Sequence, residues 1–526
     1  MTFLIAGWNM AMVHGLLPGD SLARVAQASA TISSRDPHLE AIGFVWAPFP
    51  TLFEIPLVWL GRWFPELVTQ GMASVIVSAV LMGSMCCIVH RWLAEVGVQR
   101  WTRAALTAML AVHPLILLHG ANGLSDACML FFLVVAARRL ALWWERDHLL
   151  DLVMAGAACA MAYLTRYEAA ASIILLVAAV SAREWQRAAD ESPPIRTRRT
   201  LTIGLVAGLP PVFAATLWAV SSWAIIGQPF AQLSSEYGNS TQFKTATASI
   251  VEMAGAASGL RRGVFFVEQM VGLSSITIVA VVLLAWFGTV GGPRISAAFI
   301  MVGGPLAFHI ASGIAGSTFA WARYAIAVVP LGALLLGPLL VSIGTNRSAL
   351  PAWVPRATVV GLAAAAVLAS LVPLHSAALG TKEETWQFSA FPAPFHTDKF
   401  ADRRSLIGWG ATIAHDIERL RPGHGDVLTD SANTFSVVLA AHDQRDFVIT
   451  SDRDFEQTAA DPAGAGVRYL LVVDSHSGLY DSVESAHPGL FDTGGGISHV
   501  IREWGTGAAD SFHVRLFAVD HPAARR

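Results

Sequence analysis

Five acidic residues flank apolar stretches of the chain, and each is a candidate for chemistry: Asp20, Asp36, Glu40, Asp126 and Glu168. An acidic side chain beside a bilayer is costly unless it is paired or functional, which makes its position informative. Asp20 follows the first apolar stretch, in the segment LLPGDSLARV. It could act as a general base toward a hydroxyl group held at the membrane surface, or it could cap the helix that follows.

Three arginines accompany these acids and could bind an anion: Arg24, Arg166 and Arg323. The segment TRYE puts a guanidinium and a carboxylate between two apolar stretches. A guanidinium at that level could hold a lipid phosphate through two charge-assisted hydrogen bonds, or Arg166 could simply neutralise Glu168. In FAWARYAIAVVP, Arg323 and Tyr324 repeat the arrangement, with a snorkelling membrane anchor as the alternative.

Two further motifs leave a functional and a structural role open. The segment RDPHLE alternates Asp36, His38 and Glu40, whose oxygen and nitrogen atoms could ligate a divalent ion, whereas a solvated loop is the alternative. The segment NGLSD ends at Asp126, which lies at the level of Asp20. Asp126 could be a second catalytic acid, or it or Ser125 could cap the next helix.

The composition indicates which elements must position these residues. Of 526 residues, 54% are apolar and only 14% are charged, with a mean hydropathy of +0.53. Soluble domains carry nearly a quarter charged residues, so we expect an integral membrane protein. Residues 1–374 hold 22 basic and 17 acidic side chains, whereas the shorter 375–526 hold 13 and 21. The first part is therefore predicted to be embedded in the bilayer and the second to be a soluble domain.

Apolar stretches near 20 residues in length predict about eleven transmembrane helices. They lie at 1–17, 67–90, 104–120, 127–144, 151–165, 168–183, 201–226, 264–288, 295–315, 323–343 and 357–374. The long first loop, 18–66, contains two segments that read as short interfacial helices. We expect no cleaved signal peptide, because no charged segment precedes the first helix.

The distribution of Lys and Arg among the loops predicts the orientation. With the N-terminus in the cytoplasm, fourteen basic residues fall in cytoplasmic loops and eight in outer loops. An odd number of helices then places 375–526 outside. This tail begins with a Pro and aromatic linker at 384–396, followed by a helix at 403–421. Strands at 426–429, 446–450, 467–474 and 512–517 predict an α/β domain, and SDRDFE within it reads as a solvated loop.

Taken together and in order, five motifs carry a family resemblance: GDSLAR, VWAPFP, NGLSDA, YLTRYEA and ARYAIAVVPL. Over about residues 1–343, the sequence resembles the membrane-embedded GT-C glycosyltransferases that use polyprenyl-phosphate sugars. This group includes the lipid A aminoarabinose transferases and the protein O-mannosyltransferases. The resemblance implies a bacterial-type plasma membrane, a lipid-linked hexosyl or pentosyl donor on the outer leaflet and an inverting displacement. The implied acceptor is an extracytoplasmic lipid, glycan or protein, and no nucleic acid is involved.

The resemblance also implies roles for individual residues. Asp20 matches the base of the first outer loop and Asp126 the second acid, whereas Arg166 and Arg323, with Tyr324, match the donor-phosphate site. Arg24, Asp36, His38, Glu40 and Glu168 are possible supporting residues. Many members have two adjacent acids in the first loop, whereas Gly19 precedes Asp20 here. No cofactor is implied with certainty, and a divalent metal stays open.

Two other classes of protein fit part of the pattern. A secondary transporter also has about eleven helices and intramembrane charges, but it usually has inverted repeats and charges near the midplane. A non-enzymatic membrane scaffold with an outer binding domain would leave Asp20, Arg166 and Arg323 without a role. The sequence therefore favours the glycosyltransferase.

Overall fold

The protein is mostly helical, with a small C-terminal sheet. The computed structural model describes residues 1–234, 258–289, 291–345, 351, 353–376, 379, 382–391, 406–474, 479–505 and 513–520. Six helices in these ranges are long and apolar enough to cross a membrane, or eight if two bent helix pairs each count as one span. The chain is thus an integral membrane protein, and the predicted eleven spans are not confirmed.

The helices described before the tail are numbered in chain order. They are α1 (Thr2–Trp8), α2 (Gly19–Ser33), α3 (Phe49–Trp59), α4 (Glu66–Thr69), α5 (Met72–Glu95), α6 (Arg100–Val112), α7 (Pro114–Ala121), α8 (Asp126–Arg146), α9 (Leu149–Tyr163), α10 (Ala170–Arg187), α11 (Pro193–Ile226), α12 (Ala231–Ser234), α13 (Gly259–Leu273), α14 (Ser275–Trp286), α15 (Pro293–Ala315), α16 (Val328–Thr345), α17 (Trp353–Ala369), α18 (Leu371–His375) and α19 (Lys382–Phe388). A π-helical turn, Asn9–His14, extends α1, and short 3₁₀ turns include Leu39–Ile42, Tyr167–Ala169 and Ala322–Ala325.

Local sequence explains why several predicted spans are broken. Pro114 begins α7, and the α6 and α7 axes differ by 64° because proline cannot continue the hydrogen bonding of α6. Helices α13 and α14 meet at 94° around Ser274, whose backbone leaves the helical region. Helix α9 has 15 residues and is about 22 Å long, shorter than the roughly 30 Å of a hydrocarbon core.

Helix α8 lies at the centre of the membrane-embedded body. It packs against α5, α9 and α15, and most of its side chains are buried. The neighbouring helices α9 and α11 approach each other closely at a glycine. A Cβ atom on Gly156 of α9 would lie 2.4 Å from the carbonyl oxygen of Ala207 on α11, so a larger residue would separate these helices. Tight packing fixes the ends of α8 and α9, where several of the predicted site residues lie.

The tail has the α/β organisation that the sequence predicted. Its elements are α20 (Leu406–Glu418), β1 (Val427–Thr429), α21 (Ser431–Ala440), β2 (Phe447–Val448), α22 (Phe455–Ala460), β3 (Tyr469–Val473), α23 (Ser482–Ala486), α24 (Leu490–Thr493), β4 (Ser498–Gly505) and β5 (His513–Val519). The strand order is β2-β1-β3-β5-β4. Strands β2, β1 and β3 are parallel, whereas β5 is antiparallel to β3 and β4.

The segment predicted as a linker is instead part of the membrane-embedded body. Its described residues form α19 and the turn after it, where Phe388 and Phe391 are buried in the same apolar core as the spanning helices. The Asn9 amide donates to the carbonyl of Ala390, and the Asn122 amide donates to Gln387. Residues 392–405, the rest of that linker and the start of the predicted helix, lie outside the described part of the chain.

The segment RDPHLE, for which the sequence left a metal site or a solvated loop open, is bound to SDRDFE, the predicted solvated loop of the tail. Arg35 donates to Asp452 over 3.1 Å and also pairs with Asp454, while Arg453 donates to Asp36 over 3.2 Å. These contacts connect the first loop to the tail. The two loops attract each other because an arginine of each loop meets an aspartate of the other.

Candidate active site

Asp20 lies in the first turn of α2, at the edge of the membrane-embedded body. The helix begins at Gly19 with Pro18 in the N-cap position and has no side-chain cap, so Asp20 is not the cap that the sequence left open. Its carboxylate is 48% exposed, and its Oδ2 accepts from Arg323 Nη2 over 3.3 Å. The Arg323 side chain is 5% exposed. The acid therefore remains open to solvent while a buried cation orients it.

The backbone of Arg323 is fixed by a carboxylate that sequence reasoning missed. Glu384, buried in α19, accepts the backbone N–H of Ala322 over 3.1 Å and that of Arg323 over 2.5 Å. The Arg323 guanidinium also lies 4.0 Å from the centre of the Trp321 ring. Glu384 thus holds the 3₁₀ turn that presents Arg323 to Asp20.

A second group of charges surrounds Arg166, between α9 and α10. Its Nε donates to Glu168 over 2.7 Å, and its Nη1 lies 3.4 Å from Asp126 and 3.5 Å from the Ser125 hydroxyl. Asp126, at the start of α8, is 1% exposed and also lies 3.5 Å from His119. The Ser125 side chain makes no capping hydrogen bond to α8. Asp126 is therefore part of an ion-pair cluster, and Arg166 pairs with two acids rather than with Glu168 alone.

Tyr324 joins the two groups of charges. The centre of its ring lies 5.6 Å from the Arg166 guanidinium and 5.8 Å from that of Arg323. The ring stacks on His309 of α15, with ring centres 4.3 Å apart and planes 7° from parallel. His309 Nε2 in turn lies 3.5 Å from Glu168. Asp20, Arg323, Tyr324, Arg166 and Asp126 thus form one continuous set of contacts.

Arg24 and Glu54 extend the site on the side of the first loop. Arg24, one turn after Asp20, donates to the carbonyl of Ala47 over 3.1 Å and lies 5.1 Å from the centre of the Trp46 ring. Burial raises the pKa of Glu54 to about 8, although Arg24 favours its ionised form. At neutral pH, Glu54 is therefore mostly protonated, and Arg24 keeps a positive charge that is not cancelled by this acid.

The remaining predicted residues lie away from this set of contacts. Asp36 pairs with Arg453, the His38 ring lies 2.6 Å from the carbonyl of Asp36, and Glu40 is exposed in the turn Leu39–Ile42. These three do not form a metal-ligand cluster. The single His, Cys, Asp and Glu grouping with ligand atoms within 4.8 Å, in the described ranges, is His424, Asp443 and Asp446 in the tail.

The geometry combines a solvent-accessible carboxylate with buried guanidinium groups. A carboxylate such as Asp20 can accept a proton, and arginines held by buried acids can stabilise negative charge without having to reorganise. The three acids Asp20, Asp126 and Glu168 equal in number the three arginines Arg24, Arg166 and Arg323, so the opposite charges of the site are matched before a ligand binds. An incoming anion would meet the positive charges of Arg24, Arg166 and Arg323 in this site.

No protein-family model and no curated protein sequence matches the chain. Among solved structures, ArnT from Cupriavidus metallidurans bound to undecaprenyl phosphate has 15% sequence identity and a TM-score of 0.48, covering 98% of this chain and 97% of that one. ArnT in the apo state has 15% identity and a TM-score of 0.45, with the same coverage. The archaeal oligosaccharyltransferase AglB from Archaeoglobus fulgidus has 12% identity and a TM-score of 0.41, covering 86% and 65%. At these identities the likeness concerns the fold alone.

Proposed function

We propose that this protein is a GT-C glycosyltransferase that moves a sugar from a polyprenyl-phosphate donor to an extracytoplasmic acceptor. The observation that carries the proposal is the pairing of the half-exposed Asp20 with Arg323, in contact through Tyr324 with the Arg166 cluster. Undecaprenyl phosphate is bound to ArnT and a dolichol-phosphate to AglB. A polyprenyl phosphate is the carrier that we propose for this chain.

The proposed reaction is a single displacement with inversion at the anomeric carbon. Asp20 accepts the proton of the acceptor hydroxyl, whose oxygen forms a bond to the anomeric carbon. The bond from that carbon to the phosphate oxygen breaks, and the polyprenyl phosphate leaves with the electron pair. Its additional negative charge is stabilised by Arg166 and Arg323, which were held in place before the reaction.

Mass analysis tests the proposal most directly. We expect the purified full-length protein to release polyprenyl phosphate from at least one polyprenyl-phosphate hexose or pentose when an envelope extract supplies the acceptor. Envelope glycans and glycoproteins from cells with and without the gene should differ by that sugar. The absence of any such difference, together with no donor turnover across hexosyl and pentosyl donors, would contradict the function.

The proposed orientation has the N-terminus inside and the α/β tail, from α20 onward, outside. Replacing the exposed Ala465 by Cys, in a Cys87→Ala background, should give a protein that an impermeant thiol reagent labels in intact spheroplasts. The matched control is Ala189→Cys, in the exposed connection between α10 and α11, which should be labelled only after lysis. Labelling of Ala189→Cys alone in intact spheroplasts would reverse the orientation.

Glu384→Gln is expected to lower turnover about tenfold or more. Glutamine loses the charge and one of the two oxygen acceptors that hold the turn containing Arg323. A hydrogen bond to a charged group is worth about 1.5–3 kcal/mol, and 1.36 kcal/mol is a factor of ten in rate. Transfer by purified protein measures the effect. Glu268→Gln, the same change at an exposed residue of α13, should have normal activity, and an equal loss in both variants would contradict the positioning role.

A further inference from the structure

A cavity of about 500 Å³ lies at the end of the helical bundle opposite the candidate active site. The ends of α8, α9, α10 and α11 surround it, with Trp143 and Asp147 contributed at the end of α8. Asp126 of the active site begins α8, and Trp143 lies 17 positions further on, about 25 Å away along the helix. The cavity is therefore separate from the active site and lies at the other membrane surface.

The rim of this cavity carries three arginines and two acids, Asp147 and Glu184. Its lining includes Arg187, Arg198 and Arg199. Arg187 binds Asp147 through two hydrogen bonds of 2.6 and 2.8 Å, and Arg199 pairs with the buried Glu184 over 2.6 Å. Arg198 is exposed and makes no ion pair with any described residue. One guanidinium is thus available for an anion, on a rim whose other arginines are fixed by acids.

An apolar surface continues from this rim along α11. One face of α11 shares Arg198 and Thr202 with the cavity and continues past Leu201 and Leu205. These two leucines are 60% and 67% exposed, on a helix apolar enough to span a membrane. In a bilayer, such a surface contacts acyl chains. The cavity and this face of α11 together offer a polar end at the membrane surface and an apolar end within the bilayer.

We propose that this cavity binds an anionic phospholipid, with its phosphate on Arg198 and an acyl chain along Leu201 and Leu205. The charge fits a phosphate, because the free cation lies where a headgroup would lie. The apolar face of α11 fits a lipid rather than a free anion, because a free anion would gain nothing from the leucines. The site is independent of the proposed transfer reaction, since it shares no residue with the active site.

Lipid retention by the full-length protein tests this site. The protein would be reconstituted in phosphatidylcholine nanodiscs with a minor fraction of phosphatidylglycerol, released into detergent and examined by native mass spectrometry. We expect bound phosphatidylglycerol in the wild type. Arg198→Gln should retain about fivefold less, the effect of one cation near an anionic surface. Because Arg198 is exposed and has no ion-pair partner among the described residues, the variant should unfold at the wild-type temperature.

A matched variant makes the test specific. Arg100→Gln removes a cation at the start of α6. Arg100 follows Glu95 by five residues, and Glu95 pairs with Arg138 of α8, in the half of that helix that leads to the cavity. It should retain lipid as the wild type does. Equal lipid loss from both variants, no loss from Arg198→Gln, or displacement of the lipid by free glycerol phosphate would each overturn the proposal.

Discussion

The Asp20→Asn variant is expected to turn over roughly 10² to 10⁴ times more slowly than the wild type, the usual contribution of a general base. Asparagine has nearly the shape of aspartate and can still accept a hydrogen bond from Arg323 through its amide oxygen. It cannot accept the proton of an acceptor hydroxyl at neutral pH. Transfer from the polyprenyl-phosphate donor by purified protein, at saturating donor, measures the loss.

The Asp20 experiment needs evidence that the fold and the donor site are unchanged. Thermal unfolding and donor affinity should match those of the wild type, because Asp20 is half exposed and does not cap α2. Asp190→Asn makes the same chemical change at an exposed acid between α10 and α11 and should have full activity. A fully active Asp20→Asn protein would remove Asp20 from the role of base.

Much of the candidate site could be predicted because charges near a bilayer are rare and costly. That single physical rule selected Asp20, Asp126, Arg166 and Arg323, which the structure brings into one set of contacts through Tyr324. The rule does not indicate which charged residues pair with each other. Pairing across 303 positions, as between Asp20 and Arg323, is a property of the tertiary structure.

Sequence reasoning missed His119, His309 and Glu384 for two different reasons. His119 and His309 are single histidines in apolar helices, where a buried histidine usually has a structural role, and both contact acids of the site only after folding. Glu384 lies in a segment whose Pro and aromatic content is typical of a linker. The role of its carboxylate depends on the packing of α19 beside Arg323, which is a property of the tertiary structure.

The fold was predictable to a similar extent. Runs of apolar residues indicated a membrane-embedded body, and alternation of strands and helices indicated the α/β tail, which the structure has. Strand β4 was missed because six of its eight residues are exposed, so Ser498–Gly505 has no long apolar run. Helix bends at Pro114 and Ser274 depend on local backbone geometry and break stretches that composition alone reads as continuous.

Arg166→Ala is expected to lose about 10² to 10³ in turnover, the typical effect of removing one preorganised donor to a developing negative charge. The leaving phosphate gains charge as the glycosidic bond breaks, so a guanidinium stabilises the transition state more than the bound donor. Arg166→Lys keeps the charge but not the planar pair of donors, and should retain part of the activity. Arg91→Ala, at an exposed arginine of α5, is the control that should remain active.

The double variant Arg166→Ala with Glu168→Ala separates a phosphate ligand from a structural ion pair. Arg166 donates to Glu168 over 2.7 Å, so the single Ala variant leaves that buried carboxylate with His309 alone among the contacts described. If the role of Arg166 is only to neutralise nearby acids, removing Glu168 as well should restore part of the lost activity, because the effects of coupled residues are not additive. Asp126, the other acid near Arg166, still has His119 within 3.5 Å in both variants. A phosphate ligand predicts that transfer stays low in the double variant while thermal unfolding returns toward the wild-type temperature. Recovery of transfer in the double variant would therefore assign Arg166 to structure and leave Arg323 as the candidate phosphate ligand.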